Sequence, residues 1–369
     1  MPLKSCNRNC VYCQLGRTVP LTNDRREYVP ATEVVAAVSQ VSQAQRQDQI
    51  DWLTFLRSGE PTTHARLGWI ISQVKRISPL PVAVITNGSL LYRPEVQEEL
   101  LAADAVLPSL DAGTAALYRT INRPRPACTF ERLVEGLIAF RRRFTDKLWI
   151  EVMLVKGFND TEQALSDLAA LLTRIGPEQV HISSPQRPPA EPWVEAPGPE
   201  DLARTAALLG GAARPVASLT GESDLSAYEN VVEAIIAVLC PHPMTEEELM
   251  RTLNRWMPGQ VARGLAQLSR DKRLQVVTRH GQRFWSSSGA RYPGKPDRRG
   301  EAAQPGPPVT SVRRGVGPFA EVVNLEVCRL TQDVSAYRTA AAVQQARQRC
   351  TRAAPAAKAI RSRAADFPA

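Results

Sequence analysis

The 369-residue chain contains no unbroken apolar run of about 18 residues, the least a helix needs to cross a bilayer. Its first ten residues, MPLKSCNRNC, lack the apolar stretch of about 7–15 residues that marks a secretory leader. Both absences point to the cytoplasm. Internal repeats are missing too, so a repeat array is excluded. An excess of one charge sign is absent from most of the chain. The net charge is +9, but from residue 289 onward there are 14 Lys and Arg against 6 Asp and Glu, which leaves the body nearly neutral. The basic balance therefore says little about what the folded part binds.

The hydrophobic fraction of 43% is enough for a real core, and the length suits one domain of about 200–250 residues plus smaller pieces. Short β-type runs at 52–56, 82–86, 105–110, 148–155 and 179–183 alternate with helical patterns at 31–47, 64–77, 93–102, 129–144 and 160–174. Strict alternation predicts βαβ units and a parallel sheet, with chemistry in the loops after the strands. A helix near 199–210 and a strand near 215–219 close this domain at about residue 222.

A connecting helix is predicted within 223–243. Residues 244–287 then read as a winged helix: a helix capped by Thr245 and Glu248, a second helix over 258–274, and a hairpin turning at His280-Gly281. From 288 to 369 Gly, Pro, Arg and Ala dominate. This stretch reads as a mostly disordered, dispensable basic tail, with a modest helix at 335–350.

Three of the seven cysteines fall within SCNRNCVYC, residues 5–13; Cys128, Cys240, Cys328 and Cys350 have no motif spacing. In a reducing compartment such a cluster binds metal or reacts, rather than forming disulfides. Three thiolates can each take one iron of a [4Fe–4S] cluster and leave the fourth iron open. An open position is what catalysis requires. A zinc site needs a fourth ligand, for which His64 is the best candidate.

Cys6, Cys10, Tyr12 and Cys13 match C-x3-C-x-aromatic-C, and Gly59, Glu60 and Pro61 follow the first visible strand. In these features the chain resembles the radical S-adenosylmethionine (SAM) superfamily. The resemblance implies a [4Fe–4S] cluster on Cys6, Cys10 and Cys13, with SAM on its open iron. It also implies a low-potential reductant such as flavodoxin or ferredoxin. The Gly59-Glu60-Pro61 turn would hold the SAM ammonium. Thr86, Asn87, Ser109, Asp111, Glu151, His181 and Ser183, at or near strand ends, would complete the cofactor site. SLDAGTAALYRTINRP, IEVMLVKGFND and RPPAE resemble a group related to the wyosine-base-forming tRNA enzymes, which makes RNA a candidate substrate. Arg123 and Arg187 are then candidates for an anionic substrate.

Only five residues precede Cys6, whereas the family's barrel begins with a strand upstream of the cluster loop. The expectation is an α/β fold: a partial (β/α)6 TIM-like barrel with its first strand missing, a winged helix and a disordered tail. The edge of the strand at 52–56 should then be unpaired. The leading function is a radical SAM enzyme that cleaves SAM reductively and abstracts hydrogen from a substrate. The alternatives are a metal-dependent winged-helix regulator that binds nucleic acid and a structural zinc protein.

Overall fold

Residues 4–44, 51–56, 59–216, 230–240, 242–293 and 326–328 are described by the computed structural model. The predicted apolar runs become six parallel strands, paired in chain order: β1 (Trp52–Phe55), β2 (Val82–Thr86), β3 (Ala105–Pro108), β4 (Lys147–Met153), β5 (Gln179–Ser183) and β6 (Ala213–Pro215). The last lies slightly earlier than the run expected near 215–219.

Seven helices alternate with them: α1 (Ala31–Ala44), α2 (Leu67–Ile77), α3 (Pro94–Leu100), α4 (Ala115–Ile121), α5 (Phe130–Arg143), α6 (Glu162–Ile175) and α7 (Pro199–Leu209). The seven-residue α4 was not predicted. Thr114, Thr129 and Thr161 cap α4, α5 and α6 by accepting from backbone N–H groups at the third helical position.

Leu67, Ile70, Ile71 and Val74 recur at helical spacing on α2, and Leu133, Leu137 and Phe140 on α5. They pack onto Leu53, Val82, Val84, Val106, Leu148, Ile150, Val152, Val180 and Ile182 of the sheet. Successive strand residues point to opposite faces. Trp149, Glu151, Met153, Gln179, His181 and Ser183 therefore share the other face, inside the partial barrel.

The segment read as a connecting helix and a winged helix forms three helices with a small antiparallel sheet. It comprises α8 (Val231–Leu239), β7 (Met244–Thr245), α9 (Glu246–Thr252), α10 (Pro258–Arg270), β8 (Leu274–Arg279) and β9 (Gln282–Ser287). Thr245 and Glu248 form the reciprocal cap. The hairpin turns at His280 and Gly281, both with positive φ, as a two-residue turn between twisted strands requires. Two features differ from the expectation. The sheet has three strands, ordered β7-β9-β8. The helix read as a connection supplies Ala234, Ile235, Val238 and Leu239 to one core with Leu249, Val261, Leu265 and Leu268.

The tail needs correction twice. Residues 288–293 are built into the fold: Ser288 N–H donates to Arg273 O, Arg17 N–H to Arg291 O and the Tyr292 hydroxyl to Gln14 O. A tenth strand, β10 (Glu326–Cys328), pairs antiparallel with β1, joining Trp52 to Cys328 and Thr54 to Glu326. The edge expected to be open is thus covered from within the chain. An antiparallel partner needs no crossover helix, so a short β-type run suffices. The helix proposed at 335–350 and the remaining tail lie outside the described residues. Among the described residues, no helix is long and apolar enough to cross a membrane.

Candidate metal and cofactor site

The cysteine loop lies across the ends of the strands, held on several sides by its own backbone. Asn9 N–H donates to Asn122 O and Arg123 O, Val11 N–H to Ile121 O, and Arg125 N–H to Asn7 O. The segment after α4 therefore serves the loop as a neighbouring strand. On another side Glu60 N–H donates to Ser5 O, and Ser5 bridges to Gly59. Gly59 has φ +150°, and a Cβ there would sit 2.0 Å from Ser5 O. Only glycine permits this approach. Gly59→Ala is expected to leave the barrel folded but displace the cysteine loop, which iron content per chain measured beside circular dichroism would report.

Cys6, Cys10 and Cys13 are free and partly exposed, with Cys13 N–H donating to Cys10 O in a turn. Two amides converge on their sulfurs: Asn87 Nδ2 lies 3.5 Å from Cys6 Sγ and Asn122 Nδ2 3.6 Å from Cys10 Sγ. Burial pushes the Cys6 thiol up to about 12, and Glu60 and Cys10 add to it. Burial likewise raises Cys10. A bound metal reverses this by displacing the protons.

His64 is not placed as a zinc ligand. Its Nε2 is 2.9 Å from Val29 O, and its Nδ1 accepts from Arg66 N–H. Among the described residues no three His, Cys, Asp or Glu side chains gather around a single ion position. A [4Fe–4S] cluster does not need such a cage, since each thiolate binds a different iron.

Two carboxylates organise the surroundings. Glu60, buried, accepts from Thr62 N–H, the Thr62 and Thr86 hydroxyls and Asn87 N–H at 2.6–3.0 Å. These four donors match a carboxylate's capacity. Glu60 therefore fixes the Gly59-Glu60-Pro61 turn against the end of β2 and orients Asn87 toward Cys6. Asp111 accepts from the Tyr12 hydroxyl and Asn122 Nδ2, both at 2.6 Å, and from Met153 N–H at 2.8 Å. The aromatic residue of the cysteine motif is thus an anchor tying the loop to β3 and β4.

Ser109, Glu151 and His181 form a row across β3, β4 and β5, each in register with the next. Ser183 stands two residues beyond. Burial and then Asp111 push the Glu151 carboxyl up to about 7. Burial and Arg214 push His181 down to about 4, so its imidazole is neutral, tilted against Trp149 and 3.0 Å from Gln179 Oε1. For Glu151 the unfolded chain releases its proton near 4.5 and the folded chain near 7. Stability therefore falls as pH rises through that window, by up to about 3 kcal/mol. Glu151→Gln in the metal-free protein should match wild type in urea melts at pH 4 and be the more stable at pH 8. Equal stability at both values would remove the carboxyl from the buried row.

The two arginines singled out for substrate have partners within the fold. Arg123 lies 2.5 Å from Glu191, which also takes Arg17 at 2.8 Å. Burial opposes the Glu191 charge, but the bonds from Arg17 and Arg123 outweigh it and hold the carboxyl below its usual range. Glu191, the acid of RPPAE, joins the cysteine loop to the segment after α4. Arg187 donates to Pro243 O, between α8 and β7. Arg8, Asn7 and Arg17 carried no sequence signal as site residues; the crowding of polar residues between the cysteines was the one available hint.

Nine buried side-chain polar atoms among the described residues lack a hydrogen-bond partner, and seven belong to Asn7, Arg8, Thr18, Tyr118 and Asn122, in or against the cysteine loop. Native interiors leave few such atoms, and a missing ligand is one reason for them. The residues present therefore fit a group bound at this loop.

A sequence model of the radical SAM superfamily matches residues 2–169. The UPF0026 protein MJ1312 of Methanocaldococcus jannaschii is 31% identical over 259 residues, 69% of this chain and 80% of that protein. A UPF0026 protein of Helicobacter pylori strain J99 is 30% identical over 251 residues, 66% and 79% of the two chains. Among solved structures, that of TYW1 with a lysine-pyruvate adduct bound aligns with a TM-score of 0.43 at 17% identity, covering 56% of this chain and 70% of that one. The cysteine loop and its sequence relatives agree: this is a UPF0026 protein of the radical SAM superfamily, whose cofactors are a [4Fe–4S] cluster and S-adenosylmethionine.

Proposed function

We propose that Cys6, Cys10 and Cys13 hold the cluster and that the chain is a hydrogen-abstracting radical SAM enzyme. The chemistry of the bound group is reductive cleavage of SAM to methionine and a 5′-deoxyadenosyl radical that takes hydrogen from a substrate. The observation that carries this reading is the concentration of unpartnered buried polar atoms at the cysteine loop. The remaining work falls to the chain's own residues. Asn87 and Asn122 orient and polarise the thiolates. Glu60 and Asp111 hold the turn and Tyr12 that position the loop. On the concave face Ser109, Glu151, His181 and Ser183 offer hydroxyls, a carboxyl and a neutral imidazole to the polar parts of SAM and substrate. The electron comes from a small reductant of the flavodoxin or ferredoxin kind.

RNA is the substrate class this reading favours, on the resemblance of residues 109–124 and 150–160 to the group related to wyosine-base-forming enzymes. The regulator reading has less support. Arg279 of the wing donates to Pro185, Arg187 and Val194 carbonyls, and His280 lies 3.3 Å from Glu195. The hairpin is thus engaged with the barrel, which leaves only α10 to enter a groove. The test is paramagnetic resonance of the reconstituted, reduced protein with and without SAM. A line shape that changes on adding SAM supports the reading; stoichiometric zinc, or a spectrum indifferent to SAM, contradicts it.

A further inference from the structure

Arg8 stands midway between Cys6 and Cys10 and is 1% exposed. Its guanidinium lies over the Tyr118 ring, 4.9 Å from the centroid, and no guanidinium nitrogen reaches an acceptor at hydrogen-bond geometry. Its backbone is fixed by the bridge to Pro124. Asp111 acts on it through space but gives its oxygens to Tyr12, Asn122 and Met153. A buried cation is ordinarily paired as well as hydrogen-bonded, because an unpaired one is costly. What sits beside Cys10 is thus a cation without an anion.

We propose that Arg8 is the built-in counter-charge of the cluster, a positioning residue that raises its reduction potential and helps retain it. The proposal rests on the cluster reading above. A cluster core of charge 2+ on three thiolates carries one net negative charge and gains a second on reduction. A fixed cation close by favours the more negative state, and cluster potentials respond to local charge and to hydrogen bonds on the sulfurs. In the step concerned, one electron passes from an external reductant to the core, 2+ becoming 1+, with no bond made or broken. The placement also explains the orphan nitrogens, whose partner arrives with the cluster.

The experiment compares the full-length wild type, Arg8→Met and Arg8→Lys, each reconstituted anaerobically with iron and sulfide. A dithionite titration followed by paramagnetic resonance gives the midpoint potential, and release of iron to a chelator gives retention. Arg8→Met should shift the midpoint to more negative values and lose iron faster, with Arg8→Lys close to wild type. Melting of the metal-free proteins supplies the second measurement, available even if Arg8→Met loads poorly. Removing an uncompensated cation should leave the metal-free melting temperature unchanged or raise it. Equal midpoints in all three loaded proteins would overturn the proposal. So would a lower metal-free melting temperature in Arg8→Met that Lys restores, which would make Arg8 a structural counter-ion of Asp111. A wild type that takes up no iron and sulfide overturns the cluster reading and this proposal together. An unchanged potential in loaded Arg8→Met overturns this proposal alone.

Discussion

Replacing any one of Cys6, Cys10 and Cys13 with alanine is expected to abolish the brown chromophore of the reconstituted protein, whereas Cys128→Ala and Cys240→Ala retain it. The three loop thiols lie together in one short loop, and two of them receive amide hydrogen bonds from Asn87 and Asn122. A cluster with only two thiolates loses a covalent anchor that nothing nearby replaces, since Asp111 and Glu60 already serve the chain's own donors. Cys128 is buried in the main core with its sulfur 3.3 Å from Asn23 Oδ1, and Cys240 ends α8. Their loss removes a few atoms of packing, worth about 1 kcal/mol. Five variants behaving alike would refute the assignment.

Asp111→Ala carries the largest expected loss of stability. Three donors would lose their acceptor in a buried place: the Tyr12 hydroxyl, Asn122 Nδ2 and Met153 N–H. Each unsatisfied group costs about 1–3 kcal/mol, so a total of roughly 3–9 kcal/mol is expected. That is a large part of the stability of an ordinary domain. Tyr12→Phe removes one donor without stranding another, and about 1 kcal/mol is expected. Equilibrium denaturation of the two variants measures both, and a loss for Asp111→Ala no greater than for Tyr12→Phe would show that Asp111 is not the hub. Asn122 links the stability and cofactor effects, because the amide that Asp111 orients is the one that reaches Cys10.

The parallel sheet was legible because its first strands are buried on both faces and so read as continuous apolar runs, and the helices because their apolar stripes are long enough to show a period. The cysteine motif was legible because its spacing falls within one short loop. Other features depend on contacts between distant segments. That Glu60 ends up saturated by Thr62, Thr86 and Asn87 follows from β2 lying beside β1, which no local pattern encodes. Arg187 read as a candidate for an anionic substrate, and in the fold it donates to Pro243 O, between α8 and β7. The β10 segment is three residues within a tail poor in strand signals, and only a waiting edge gives it a role. Arg8 was passed over for the opposite reason, since an arginine between cysteines reads as solvated until its burial is known.

Anaerobic reconstitution of the full chain with iron and sulfide, then incubation with dithionite and SAM, tests the central claim most directly. The account predicts release of 5′-deoxyadenosine and methionine, dependent on the cluster and lost in Cys10→Ala. A loaded, reduced protein that leaves SAM intact would contradict it.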